Sequence, residues 1–290
     1  MAQEPSAPAR RPRPQQARLA PQALAAARGS AREGLDWLGR PPEARAGLRV
    51  RVVAVVARFL LFVVFRFRVS ATGREYLPRE GGYLVVAAIH RGWMDPFLIL
   101  HALPLEPRAW FLGSGPSAFS ARWREWLLHR LGGMLPVWRG GVGVDQHVAS
   151  ARAVLANGGV FVLVPEGGVS GPPDRLATFR TGAALIAIRT GAPIVPIALA
   201  GTHELYFSKR MATRVLPPSS ARELIGEVWD GILPEPGSRA ELDLARRLTN
   251  RFADLLGPAV AAIYPGTVDP PGRPRRLRGL TWLFLSRREG

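Results

Sequence analysis

Tyr83-Leu84-Val85-Val86-Ala87-Ala88-Ile89-His90-Arg91-Gly92-Trp93-Met94-Asp95-Pro96 is the stretch that decides how this chain folds. Residues 83–89 are an unbroken apolar run of strand length, the pattern of a strand buried on both faces of a sheet. Asp95-Pro96 then opens a helix, with Asp suited to the cap and Pro to the first helical position. His90 and Asp95 stand five positions apart. On a continuous helix their side chains would diverge by about 140°. In a turn between a strand and a helix, which Gly92 helps to fold back, Asp95 can reach one imidazole nitrogen and leave the other facing outward. That is the base and orienter of a charge relay whose nucleophile can be a substrate hydroxyl. A purely structural pair, with Asp95 serving as a helix cap, has the same spacing.

Strand and helix patterns alternate outward from this point. Ala109–Leu112, Met134–Trp138, Val160–Val164, Ile194–Ala200 and Leu224–Trp229 read as strands. Pro116–Leu131, Val144–Ala156 and Arg180–Arg189 read as helices, with stops at Asn157-Gly158-Gly159 and at Gly191. Ser238-Arg239-Ala240-Glu241 has capping-box spacing and starts a helix of about 18 residues. The alternation predicts a single α/β domain with a mostly parallel central sheet flanked by helices.

Val50–Phe65 (VRVVAVVARFLLFVVF) is the most hydrophobic stretch, interrupted by Arg51 and Arg58 and followed by Arg66 and Arg68. Its uninterrupted apolar pieces are shorter than the roughly 20 residues that span a bilayer. The pattern predicts an N-terminal helix lying in a membrane interface, its arginines reaching lipid phosphates. A buried core helix is the alternative. Residues 1–45 are rich in Ala, Pro, Arg and Gln, lack the apolar centre of a secretory signal, and read as a disordered basic tail. Beyond residue 256 a basic tail is expected, and its Leu280 and Trp282–Leu285 suit either a membrane or the domain surface.

Composition narrows the classes. A chain of 290 residues with 47% hydrophobic content can bury a sizeable core. The net charge of +17, with all but one of 39 basic residues arginine, calls for anionic partners: nucleic acid, phosphorylated substrates or acidic lipid. No helix-turn-helix, zinc spacing or RNA-binding signature accompanies the charge, so nucleic acid is not expected as a partner. The absence of cysteine removes disulfides, thiolate metal sites and a Cys nucleophile. The other histidines, His101, His129, His147 and His203, show no paired ligand spacing, so neither metal nor organic cofactor is expected. Gly113-Ser114-Gly115 lacks the spacing of a serine-hydrolase elbow.

His90-x4-Asp95 after an apolar strand resembles the first motif of the glycerophospholipid acyltransferase family, whose best-known members are lysophosphatidic acid acyltransferases. Further segments follow in the family's order. Gly73–Pro78 is similar to the approach segment, Gly133-Met134-Leu135-Pro136-Val137-Trp138-Arg139 to the second motif, and Val164-Pro165-Glu166-Gly167-Gly168-Val169-Ser170 to the third. Phe179-Arg180-Thr181-Gly182 and Ala192–Ile197 match the steps downstream. The resemblance implies an acyltransferase domain over residues 71–256, after the tail at 1–45 and a membrane-associated helix with its connection at 46–70, and before the tail at 257–290.

It also implies that His90 is the general base, oriented by Asp95, in transfer of a fatty acyl group from acyl-CoA or acyl carrier protein. The acceptor would be a lysophospholipid such as 1-acylglycerol-3-phosphate, as in phosphatidic acid synthesis. Arg139, Glu166, Gly167, Gly168 and Arg180 would form the substrate site, Glu166 either contacting the acceptor or, as its favoured role, holding the loop, and the two glycines making a tight turn at positive φ. The implied location is the cytoplasmic face of the cell membrane. Val169 stands where the family has an arginine that clamps phosphate. A non-phosphate lipid acceptor, or a non-catalytic lipid-binding module on the same fold, therefore stays open.

Overall fold

The computed structural model describes residues 40–80, 82–114, 126, 129–137, 144–169, 171–272 and 275–282. In chain order the elements are α1 (Leu48–Arg58), β1 (Arg68–Thr72), β2 (Tyr83–Ala88), α2 (Asp95–Ala102), β3 (Ala109–Ser114), β4 (Met134–Val137), α3 (Val144–Ala156), β5 (Val160–Leu163), α4 (Gly182–Thr190), β6 (Ile194–Ala200), β7 (Arg210–Val215), α5 (Ala221–Ile225) and α6 (Arg239–Ile263). A π-helical segment, Phe59–Val64, continues α1. The strands form one seven-stranded sheet in the order β1-β7-β6-β2-β5-β3-β4. Every pairing is parallel except β6 with β7.

The apolar runs account for the centre of this sheet. β2, β5 and β6 are buried along their whole length, as parallel strands covered on both faces must be. Period-two alternation sends Leu84, Val86 and Ala88 into one core with Val154 of α3, Ile186 of α4 and Leu248 of α6. Tyr83, Val85 and Ala87 enter the opposite core with Leu61, Leu98 and Ile99. Register then sets the site. Val86 of β2 stands opposite Leu163 of β5 and Pro196 of β6, so β5 ends two residues before β2 and β6 two residues after it, which brings the residues around His90, Glu166 and Thr202 to similar heights. The loops following these strands emerge side by side at the carboxyl edge, where open parallel sheets hold ligands.

Several expectations change. Leu224–Trp229 is not a strand but the end of α5 followed by a 3-10 turn, Gly226–Val228. A full capping box decides this: Glu223 N donates to Ser220 Oγ at 3.1 Å, and Ser220 N donates to Glu223 Oε2 at 2.7 Å. The box expected at Ser238 is only half made. Glu241 N donates to Ser238 Oγ at 3.2 Å, but the Glu241 carboxylate accepts from Gly237 N at 2.7 Å and from Arg189 of α4 at 2.5 and 2.7 Å. Those bonds to Arg189 come first among the causes that hold the Glu241 carboxyl below its ordinary value.

The helix that starts there has 25 residues and continues through Pro258, because Ala259 and Val260 are buried in the core. Residues 257–263, assigned to a tail, thus belong to α6. β1, at the sheet's edge, escapes the apolar pattern because it alternates polar and apolar residues, and β7, between β1 and β6, because Arg210, Thr213 and Arg214 interrupt its apolar residues. β1 begins before residue 71, the expected domain start. Residues 1–39 and most of Pro116–Leu131 lie outside the described residues.

α1 and its π-helical extension form where the apolar stretch was read as helix. Among the described residues no helix is long and apolar enough to cross a membrane. Leu61 is buried and Phe62 packs on the core, yet Leu48, Val52, Val55, Val56, Phe59, Val63 and Val64 are exposed.

Candidate active site

β2 ends in the core, and the chain must turn before α2 begins. The turn is built around one carboxylate. Asp95 is the first residue of α2 rather than its cap, and its side chain reaches back over the preceding residues. Asp95 Oδ2 accepts from Arg91 N at 2.7 Å and from Gly92 N at 2.9 Å, and lies 2.7 Å from His90 Nδ1. The Asp95 side chain is 1% exposed and that of His90 22%. With Nδ1 turned to the carboxylate, Nε2 is the ring nitrogen left for a proton acceptor. Gly92 cannot carry a side chain here, since a Cβ would stand 2.8 Å from the Thr202 carbonyl oxygen of the loop after β6.

A second carboxylate braces the turn from β5. Glu166 is fully buried and pairs with the Arg91 guanidinium through both oxygens. It also accepts from His90 N at 3.0 Å and from Ala177 N at 3.1 Å. Arg91 in turn donates to the Pro172 and Arg175 carbonyls at 2.8 and 2.9 Å. A buried ion pair persists only when its remaining hydrogen-bonding capacity is met, and here it is met by the loop it organises. Glu166 therefore braces the two loops against each other. Arg91 carries no signal of its own in the sequence. Strand register supplies one, because Leu163 lies opposite Val86 and Glu166, three residues on, falls at the height of the residues just past Ala88.

The remaining expected residues divide. Gly167 adopts φ +66°, and a Cβ there would stand 2.9 Å from Arg180 Cδ, so the Arg180 side chain lies across it. Gly167 N donates to the Val164 carbonyl at 3.2 Å, closing the turn internally. Gly168 does not share the positive φ expected of it. Arg180 N donates to the Pro165 carbonyl at 2.8 Å, which ties the residue to this loop. Its guanidinium is exposed and, among the described residues, pairs with no carboxylate. Val169 is 38% exposed. Arg139 lies outside the described residues. His101, His147 and His203 are held below the ordinary imidazole value, burial being the first cause in each. Among the described residues no three His, Asp or Glu side chains group as metal ligands.

Chemically, the arrangement is a half-exposed imidazole fixed in one tautomer by a buried carboxylate. It stands at the carboxyl edge of a parallel sheet. It can take a proton from a hydroxyl and return it to a leaving group. Replacing Glu166 with Gln is expected to destabilise the fold by about 3–5 kcal/mol, because Arg91 would stay buried without its counter-ion. Chemical denaturation checks this, and a change under about 1 kcal/mol would contradict the brace.

Residues 68–200 match the family model described as Acyltransferase. No curated protein matches the chain at a significant level. Among solved structures, the 1-acyl-sn-glycerophosphate acyltransferase PlsC from Thermotoga maritima is similar at 19% identity and a TM-score of 0.47, over 71% of this chain and 79% of that one. The segment matched by the Acyltransferase family model runs from β1 to the end of β6 and holds the whole His90–Asp95 turn and its Glu166 brace.

Proposed function

We propose that the chain transfers a fatty acyl group from acyl-CoA or acyl carrier protein to a hydroxyl of a lysophospholipid, with 1-acylglycerol-3-phosphate as the default acceptor. The observation that carries this reading is the 2.7 Å contact between His90 Nδ1 and the buried Asp95 carboxylate. His90 Nε2 accepts the hydroxyl proton as the acceptor oxygen attacks the thioester carbonyl. Asp95 stabilises the imidazolium that forms. When the tetrahedral intermediate collapses, the C–S bond breaks and the thiolate takes the proton back from His90. The step balances with two substrates and needs no cofactor.

Arg180 is the cation offered to a phosphate, on the acceptor or on the donor. It lies over Gly167 and, among the described residues, has no competing carboxylate. Val169 favours a second reading. Without the family's arginine at that position, an acceptor that bears no phosphate, such as a glycolipid or an amino-acid lipid, loses nothing. A charge-assisted hydrogen bond contributes about 1.5–3 kcal/mol, enough to sort acceptors. Assaying purified chain with acyl-CoA against an acceptor panel is expected to favour the phosphorylated lysolipid. Under that assay His90→Ala abolishes transfer and keeps the fold. Near-normal turnover in His90→Ala would remove the base, and preference for a phosphate-free acceptor would replace the default. Lipid binding without turnover by the wild-type chain would indicate a non-catalytic module.

The same reading puts α1 on the cytoplasmic face of the cell membrane. Its exposed Val55 and Val56, with Phe59 and Val63 of the π-helical extension, would enter the headgroup boundary while Arg58 meets anionic lipid. Cosedimentation with vesicles containing anionic phospholipid is expected to retain the wild-type chain and to lose a Val55→Asp, Phe59→Asp variant. Equal retention of the two would contradict this contact.

A further inference from the structure

Residues 275–282 are far from the His90 turn in sequence and against it in the fold. Trp93, inside the turn, donates from Nε1 to the Leu280 carbonyl at 2.8 Å. Leu280 also packs on the same core as Trp93 and Phe97, whose rings meet edge to face at 5.8 Å. The segment is pinned at the same time to the loop that leaves β6. Leu205 N donates to Thr281 Oγ1 at 2.9 Å, and Thr281 Oγ1 donates back to the Leu205 carbonyl at 3.2 Å. Phe207 N donates to the Arg276 carbonyl at 2.9 Å. Glu204 pairs with Arg275 at 2.7 Å and with Arg278 at 2.5 Å. That loop begins beside Gly201 and Thr202, and the Thr202 carbonyl is the wall that forbids a Cβ at Gly92.

The segment therefore reaches the turn by two routes, directly through Trp93 and by way of the Thr202 loop through Gly92. Both residues lie between His90 and Asp95. Reaction geometry is sensitive at this scale, since a misplacement of about 1 Å can lower a rate about a hundredfold. We infer that residues 275–282 form a strap that positions the His90–Asp95 turn for the proposed transfer, with Trp93 and Glu204 as its positioning residues. The inference rests on the acyltransfer reading. Asp95 fixes the imidazole against its own turn, and the strap fixes that turn against the rest of the sheet edge.

The test uses the full chain with acyl-CoA and 1-acylglycerol-3-phosphate. Trp93→Phe keeps the ring against Phe97 and removes the indole N–H. It is expected to lower kcat about tenfold while both KM values stay within about twofold and the thermal midpoint barely moves. Glu204→Gln loosens the strap without touching the turn and is expected to lower kcat about threefold. The double variant should lose less than the product of the two, because both substitutions act through one strap. An unchanged kcat in Trp93→Phe, a loss confined to the thermal midpoint, or fully multiplicative effects would overturn the strap. His90→Ala assayed in parallel separates the two readings. If it retains turnover, the reaction is wrong; if it is inactive while Trp93→Phe matches wild type, only the strap is wrong.

Discussion

One buried carboxylate oxygen sets the geometry of the site. Asp95 Oδ2 meets His90 Nδ1 and the backbone N–H groups of Arg91 and Gly92, all within 2.7–2.9 Å. An ionised carboxylate with almost no solvent is tolerable only when such donors surround it, and charge-assisted bonds are the strong ones. The requirement runs in both directions. The turn gives Asp95 its donors, and Asp95 gives the turn its shape. The imidazole is thereby held with one nitrogen inward and one available at the sheet's edge. Glu166 repeats the device from the next loop, collecting His90 N, Ala177 N and the Arg91 guanidinium.

These two carboxylates can act together only because β2 lies between β5 and β6 in the sheet. Full burial of all three strands fixes their register, since a slip of one residue would turn every apolar side chain to the wrong core. With Val86 level with both Leu163 and Pro196, the loops carrying His90, Glu166 and Thr202 must converge. The core thus does more than hold the fold together. It sets the height at which three separate loops leave the sheet, and the polar contacts among those loops then refine the site.

Apolar periodicity was enough to locate β2, β5, β6 and α3, and the His-x4-Asp spacing between a strand and a helix was enough to propose the turn. What escaped was governed by longer-range terms. β1, an edge strand, and β7 beside it are half-polar strands whose signal is weak without their neighbours. α5 was mistaken for a strand because Leu224, Ile225, Val228 and Trp229 outweighed the Ser220–Glu223 box that caps it. For Glu166 the sequence left acceptor contact and loop holding both open, because it cannot show that the partner is Arg91. That pairing arises only once two strands, 76 positions apart at His90 and Glu166, end side by side. Trp93 and residues 275–282 are separated further still, 187 positions between Trp93 and Leu280, and no local pattern connects them.

The Asp95–His90 contact is the centre of the proposed chemistry. Nitrogen-15 NMR of the imidazole rings at neutral pH tests that contact most directly, with the His90 signals assigned by their loss in His90→Ala. A His90 ring protonated at Nδ1 and bare at Nε2, with that tautomer lost in Asp95→Asn, is the result this account predicts. A proton on Nε2, or a tautomer indifferent to Asp95, would contradict it.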